Sequence, residues 1–501
     1  MSRRIHPRFP CLIGTARRSW RTDEGPAPEP LTLWAQSVLA AAADTGVNPG
    51  EVLDQVEELA VVHCMSWQYD RPTQRLADRL NIHPGRQETS VLAGTAPQRL
   101  LDEAALRILQ GSVDVAVVVG GEALATRARQ IEEHGRLPDW SFPVQAQADL
   151  PVDLEEWHLP TELAHGVVPA FVTFALMEQA RWADRGGVRA GRAQLVDVLD
   201  RLNDRASRTP DAWAGTRRSG EELLRPSPSN RLVAYPYTKR STAFPLVDMA
   251  AANVLVAHEQ ADRWGVPMDR RLYLRGWGFA RDAVHVAARR DLGGSSAISA
   301  ATTQALQMAG LTLADVDVFD LYSCFGSAVQ FAQDALPLDP GDPRPITVTG
   351  GLPFYGGPGS NYMSHSISHA LEGARSGVAS TYMLTGVGMH MTKHVAAVWS
   401  TEPGPLAVPL TDGPQCYTPP QQPPPPVAPH ADGPARVRAA TSVHLDADAA
   451  PFVLAVCELP TGQRCYARSD SPALVDMVEH DEWVGQRAEV RSNGAVNELL
   501  V

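Results

Sequence analysis

Residues 96–121, APQRLLDEAALRILQGSVDVAVVVGG, decide the fold. Leu100, Leu101, Ala104, Ala105, Ile108 and Leu109 recur at intervals of three and four, the spacing of one helical face. Gly111 ends that pattern, and Val115 to Val119 then form a short apolar run, as a strand buried on both faces would. Residues 369–388, HALEGARSGVASTYMLTGVG, repeat the scheme of helix, glycine, strand and glycine. Gly111 precedes Gly120 by nine positions, and Gly377 precedes Gly386 by nine.

The likeness extends outward from these two stretches. LTLWAQSVLAAAADTGV (31–47) is helical in period, and LDQVEELAVVHC (53–64) ends in a strand. ATTQALQMAGLTLADVDVFDLYSC (301–324) again runs helix, turn, strand, cysteine. We read residues 30–122 and 295–390 as two copies of one βαβα unit, the alternative being a chance likeness of generic α/β segments. Helices alternating with apolar strands predict a layered α/β core with largely parallel strands. Residues 123–270, richer in Arg, Trp and Pro, read as an insertion that roofs a ligand site.

A proline-rich stretch, 413–436, reads as an extended linker. Beyond it, 437–501 alternates apolar and polar residues as a small β-barrel does, and is expected to fold by itself. The resulting division is 1–270, 271–412, the linker 413–436 and the tail 437–501.

With 44% apolar and 20% charged residues the chain is of ordinary globular composition. Its net charge of -13 gives no general attraction for nucleic acid or anionic lipid, so neither is an expected partner. MSRRIHPRFPCLIG is basic but is followed by no apolar run of signal-peptide length, and the longest apolar run is far too short to span a membrane. A cytoplasmic location is therefore expected. Six cysteines without CxxC or zinc spacing predict free thiols and no metal site.

Motifs follow one another in the later part of the core: Tyr235-Pro-Tyr-Thr-Lys239, Asp320-Leu-Tyr-Ser-Cys-Phe325, Thr349-Gly-Gly351, Gly356-Gly-Pro-Gly359, Asn361-Tyr362 and Thr392-Lys-His394. Together with the duplicated core they resemble the thiolase superfamily over residues 8–400. The resemblance is closest to actinobacterial proteins labelled acetyl-CoA acetyltransferase or thiolase-like. It implies a duplicated αβαβα fold with an inserted loop domain, and the tail is similar to a small OB-like domain. It further implies a coenzyme A thioester as substrate, no tightly bound cofactor, a role in lipid metabolism, and a homodimer formed through the N-terminal half.

Thiolases use four loops. A nucleophilic cysteine opens a buried helix, a Gly-His-Pro histidine activates it, a Cys-x-Gly cysteine moves a proton, and an Asn or His holds an oxyanion water. A helix N-terminus and an imidazole lower a thiol pKa, and fixed donors stabilise an enolate. This chain departs at each loop. Leu92 best matches the first cysteine, Gly357 stands for the histidine, Leu384 for the second cysteine, and Tyr322 for the fourth-loop histidine. Val387 takes a position where the resemblance implies asparagine.

Cys324 is then either a displaced nucleophile or an inert core thiol. His365 and His394 are candidate bases, the alternatives being a hydrogen-bonded helix histidine and a solvated strand end. His365 and His369 share a helix face, but without a third ligand they do not predict zinc. Gly356, Gly357 and Asn361 would let backbone approach a pantetheine chain, or else serve plain turns. Lys239, with Arg231 and Arg240, would meet coenzyme A phosphates or be ordinary surface charge. The expected activity is acyl transfer from a CoA thioester, catalysed with Cys324, His365, His394 or Tyr322 and not by the ordinary thiolase route. The other reading is a non-catalytic acyl-CoA or lipid-binding scaffold.

Overall fold

The computed structural model describes residues 5–145, 147, 157–339, 341–404, 416, 417, 423–446 and 449–500. The two glycine turns that opened the sequence reading end helices. The helix Ala96–Gln110 stops at Gly111, with φ of 78°. The helix Tyr362–Arg375 stops just before Gly377, with φ of 68°. A side chain at either glycine would meet no neighbour, so the left-handed backbone, not crowding, selects glycine there.

The strands of the core are β1 (Pro10–Ser19), β2 (Glu58–Val61), β3 (Arg86–Thr89) and β4 (Val115–Ala123). A hairpin of β5 (Leu232–Ala234) and β6 (Tyr237–Thr238) follows, then β7 (Asp248–Ala257), β8 (Leu272–Arg281), β9 (Val318–Asp320), β10 (Thr381–Gly388) and β11 (Lys393–Ser400). The sheet order is β3-β2-β4-β7-β1-β8-β11-β10-β9, with β12 (Cys416–Tyr417) beside β8. The two halves meet at a thin seam. β1 pairs with β7 along most of its length, but with β8 only at Cys11 and Leu12.

Helices Ala96–Gln110 and Tyr362–Arg375 touch each other and strands of both halves, so they form the middle layer. Helix Pro30–Asp44 covers the first half and helix Ser296–Ala309 the second. This is the layered αβαβα arrangement expected from the sequence. The inserted region is shorter than 123–270, because Asp248–Ala257 is a core strand between β4 and β1. Every residue of this strand is buried, and apart from Asp248 and Asn253 all are apolar, as suits a strand covered on both faces.

The tail forms β13 (Gly433–Val443), β14 (Phe452–Glu458), β15 (Arg464–Ser469), β16 (Arg487–Ser492) and β17 (Asn497–Leu500). These pair in the order β14-β15-β17-β16-β13, and β13 closes on β14, giving a five-stranded OB-like barrel. The barrel is welded to the core. The Tyr235 amide donates to the Ser442 carbonyl and the His444 amide to the Val233 carbonyl, both at 3.0 Å. Phe452, Leu454, Val456 and Tyr466 pack in one cluster with Phe174 and Trp182 of the insertion. Residues 413–415 and 418–422 of the proline-rich stretch lie outside the described residues, but its later part runs along β15, where the Ala428 amide donates to the Arg464 carbonyl at 2.7 Å.

Among the described residues no helix is long and apolar enough to cross a membrane. The open edge at β3 reads Arg-Gln-Glu-Thr and is mostly exposed. A short, polar edge strand of this kind resists pairing with a second sheet.

Candidate functional site

Four loops meet at the top of the middle layer. The Ala93 amide donates to Ser360 Oγ at 3.0 Å. A Cβ on Gly94 would stand 2.3 Å from the Tyr322 hydroxyl and from the Val387 carbonyl. A Cβ on Gly386 would lie 2.3 Å from Met363 Sδ, and one on Gly120 would lie 2.6 Å from Asn361 Oδ1. The sequence-predicted residues Tyr322, Asn361, Gly386 and Val387 are therefore neighbours, and the glycines exist because these segments touch.

The shared motifs act as ties between the loops. Asp320 accepts from Thr347 Oγ1 and the Val348 amide at 2.9 Å, and from Ser366 Oγ at 2.6 Å. Ser323 Oγ accepts from the Leu352 amide at 3.2 Å. Thr349 Oγ1 and the Tyr362 hydroxyl are 2.6 Å apart. In the Tyr-Pro-Tyr-Thr-Lys motif, Tyr237 donates to Glu178 at 2.5 Å, and its oxygen lies 2.8 Å from Ser327 Oγ and accepts from the Ser327 amide at 3.1 Å. Glu178 also accepts from the Trp182 indole at 2.6 Å, yet burial pushes its carboxyl up to about 7.

Aromatic rings occupy the centre. Tyr322 packs edge-on against Tyr362 with centroids 5.5 Å apart, and Tyr355 packs against Tyr362 at 6.3 Å. The Tyr322 hydroxyl makes no hydrogen bond to a described residue, and burial pushes the phenol well above its ordinary range.

Cys324 is half-buried, just ahead of the helix Gly326–Ala335. Burial raises its thiol far above the usual range, and the nearby backbone amides only partly oppose this. His365 is fully buried, with Nδ1 3.0 Å from the Tyr355 hydroxyl and Nε2 unpartnered. Burial lowers this imidazole to about 3, so it stays neutral and takes up no proton near neutral pH. His394 lies on β11, its Nε2 2.8 Å from the Met391 carbonyl and 3.4 Å from Asp282. That carboxylate also holds Arg289 at 2.9 Å, so His394 lies beside a buried Asp–Arg ion pair.

Asn361 precedes the helix Tyr362–Arg375 and accepts from Ser364 Oγ at 2.7 Å, leaving Nδ2 without a partner. The Gly357 amide donates to the Phe244 carbonyl at 2.9 Å, and Gly356 has φ of 124°. Lys239 is exposed next to the β5–β6 hairpin that pairs with the barrel. Arg231 is spent on the Leu232, His444 and Leu445 carbonyls of that joint. Among the described residues no three His, Cys, Asp or Glu side chains group as a metal requires.

The sequence reading missed a second cluster. Asp211 accepts from Tyr355 at 2.6 Å and from Arg17 at 2.9 Å, and stands 3.5 Å from His369 Nε2. Burial opposes ionisation of Asp211, but His369, Arg17 and Tyr355 outweigh it and hold the carboxyl well below its usual range. These residues lie on separate elements, and only the pairing of His369 with His365 gave any signal.

No family model matches the sequence, and no curated protein matches it. Solved structures do. One is a monomeric SCP2-thiolase like protein type 1 (STLP1) from Mycobacterium smegmatis, 25% identical, covering 99% of this chain and 100% of its own, with a TM-score of 0.84. Another is an Ltp2-ChsH2(DUF35) aldolase, 17% identical, covering 79% of this chain and 98% of its own, with a TM-score of 0.60. The first corrects the expected homodimer, because a monomer shares the whole architecture, barrel included. The short polar edge at β3 supplies a physical reason in this chain. Fold and added barrel together give this chain a thiolase-superfamily fold fused to an OB-like domain, as in these solved structures.

Proposed function

We propose that this protein binds an acyl-CoA thioester through a thiolase scaffold without carrying out thiolase chemistry. The observation that supports this most is the state of the groups left at the four loops. Leu92, Gly357 and Leu384 stand where the resemblance implies thiol, imidazole and thiol. His365 is sealed against Tyr355, and the Cys324 thiol is held high by burial with no imidazole hydrogen-bonded to it among the described residues. A nucleophile and its base must reach each other to act, and groups that act as a unit lose nearly everything together.

The acyltransferase reading keeps one observation in its favour. Cys324 is only half-buried, beside a helix N-terminus, where a thioester could reach it.

The test combines calorimetry with acetyl-CoA and longer acyl-CoA thioesters and an assay with acetoacetyl-CoA plus CoA. Binding without turnover is expected. Turnover near about 10 per second, a typical enzyme rate, would overturn the proposal. So would the absence of binding by every thioester tried.

A further inference from the structure

A cleft of about 990 Å³ opens on another part of the core. Its walls come from β1, the end of the helix Gly187–Ser207, the segment ahead of Thr349, and the last turns of the helix Tyr362–Arg375. None of Tyr322, Cys324, Gly357 or Val387 lines it. Its size suits a small-molecule ligand.

The charges on its walls are unevenly neutralised. Arg17 is consumed by Asp211 and Glu372, and Arg208 by Asp204. Arg205 spends only Nε, on the Val348 carbonyl at 2.9 Å, and its terminal nitrogens make no hydrogen bond to a described residue. Arg201 gives one nitrogen to the Arg344 carbonyl at 2.7 Å and to the Asp342 carbonyl at 3.2 Å, with Asp197 no nearer than 3.9 Å. Two guanidinium charges thus lack a close carboxylate, in a chain of net charge -13.

Two buried polar side chains line the same space. Tyr382 is 1% exposed, and its hydroxyl has no hydrogen bond of normal geometry. Burial raises this phenol and the Asp317 carboxylate adds to the rise, while the Ala379 backbone and the Arg205 charge oppose it. His369 is 7% exposed, and its Nε2 faces Asp211 at 3.5 Å without a proper hydrogen bond. Buried polar groups without partners are rare and mark places where a ligand or water completes the set.

We propose that this cleft is a binding site for a phosphate-bearing small molecule, held by Arg205 and Arg201 with the Tyr382 hydroxyl as an additional donor. Guanidinium groups bind phosphate through paired, charge-assisted hydrogen bonds. Arg201 and Arg205 stand one turn apart on the helix Gly187–Ser207 and Tyr382 on β10, so the donors reach the cleft from two separate elements. The site is separate from the four loops and does not depend on the proposal made for them.

Calorimetry on the full chain with inorganic phosphate tests it. Saturable binding at millimolar concentration or tighter is expected, at least tenfold weaker in Arg205→Ala and several-fold weaker in Tyr382→Phe. Arg205 is exposed, so its variant should fold, which a melting curve checks. Coenzyme A in a second arm separates two sources of the phosphate. Displacement of phosphate by CoA would identify the cofactor's own phosphates as the occupant. Phosphate binding that CoA leaves untouched would point to an independent phosphate ester. No phosphate binding, or binding of equal strength in Arg205→Ala, would overturn the site.

Discussion

Glu178 is the most informative group to perturb. It lies fully buried between the insertion and the core, accepts from Tyr237 and Trp182, and has its carboxyl raised from 4.5 to about 7 by burial. For an acid raised in the folded state, stability is fully present below the unfolded value and is lost as pH rises through the folded one. The window here runs from about pH 4.5 to about pH 7. At about 1.4 kcal/mol per unit, the loss is about 3 kcal/mol. Glu178→Gln removes the titration but keeps the shape, since the Tyr237 hydroxyl can accept from the new amide and turn its own proton to Ser327 Oγ, 2.8 Å away. Unfolding entropy of about 2.1 cal/mol/K per residue gives about 1 kcal/mol/K for a chain of this length. The wild type should therefore lose about 3 °C more of its melting temperature between pH 5 and pH 8 than the variant does. Other raised carboxylates, such as Asp320 and Glu122, are common to both proteins and cancel. Equal pH slopes in the two proteins would refute the reasoning, because Glu178 would then titrate as it does in water.

The remaining expectations concern the loops and the barrel. Gly94→Ala should destabilise by about 2–4 kcal/mol, because the new Cβ meets a backbone carbonyl as well as Tyr322. Tyr322→Phe should not rescue it, and a melting-point series reads both. At pH 7.5 Cys324 should alkylate at least tenfold more slowly than free cysteine, because its thiolate is suppressed; mass spectrometry of the modified peptide measures this. Tyr466→Phe removes the hydroxyl that donates to Glu162 and accepts from the Ala287 amide. It should cost about 1–3 kcal/mol and speed hydrogen exchange in β15. A fragment of residues 423–501 should bind a hydrophobic dye or fail to hold folded amide shifts, because Phe452, Leu454 and Tyr466 lose their partners in the core.

Much of the architecture follows from local pattern. The three- and four-residue spacing through Leu109, the left-handed turn at Gly111 and the run to Val119 are set by neighbours in sequence, and so is their counterpart at Gly377. The loop order was legible for the same reason, since Thr349-Gly-Gly351 and Gly356-Gly-Pro-Gly359 are backbone requirements written in glycine. What those motifs do was not legible. Tyr237, in an apparent loop, reaches Glu178 fifty-nine positions away, and Asp320 ties down Thr347 and Ser366. The sequence offered His365 as a base, but its fate is set by the burial that neighbouring elements impose. Arg17, Arg205, Asp211, His369 and Tyr382 share a cleft only because both halves of the sheet, a middle helix and an insertion helix come together there. Periodicity and turn chemistry act over a few residues, so the sequence by itself determined the elements and their order. Burial, charge pairing and cavity shape sum over chain segments hundreds of residues apart, and only the tertiary structure decided them.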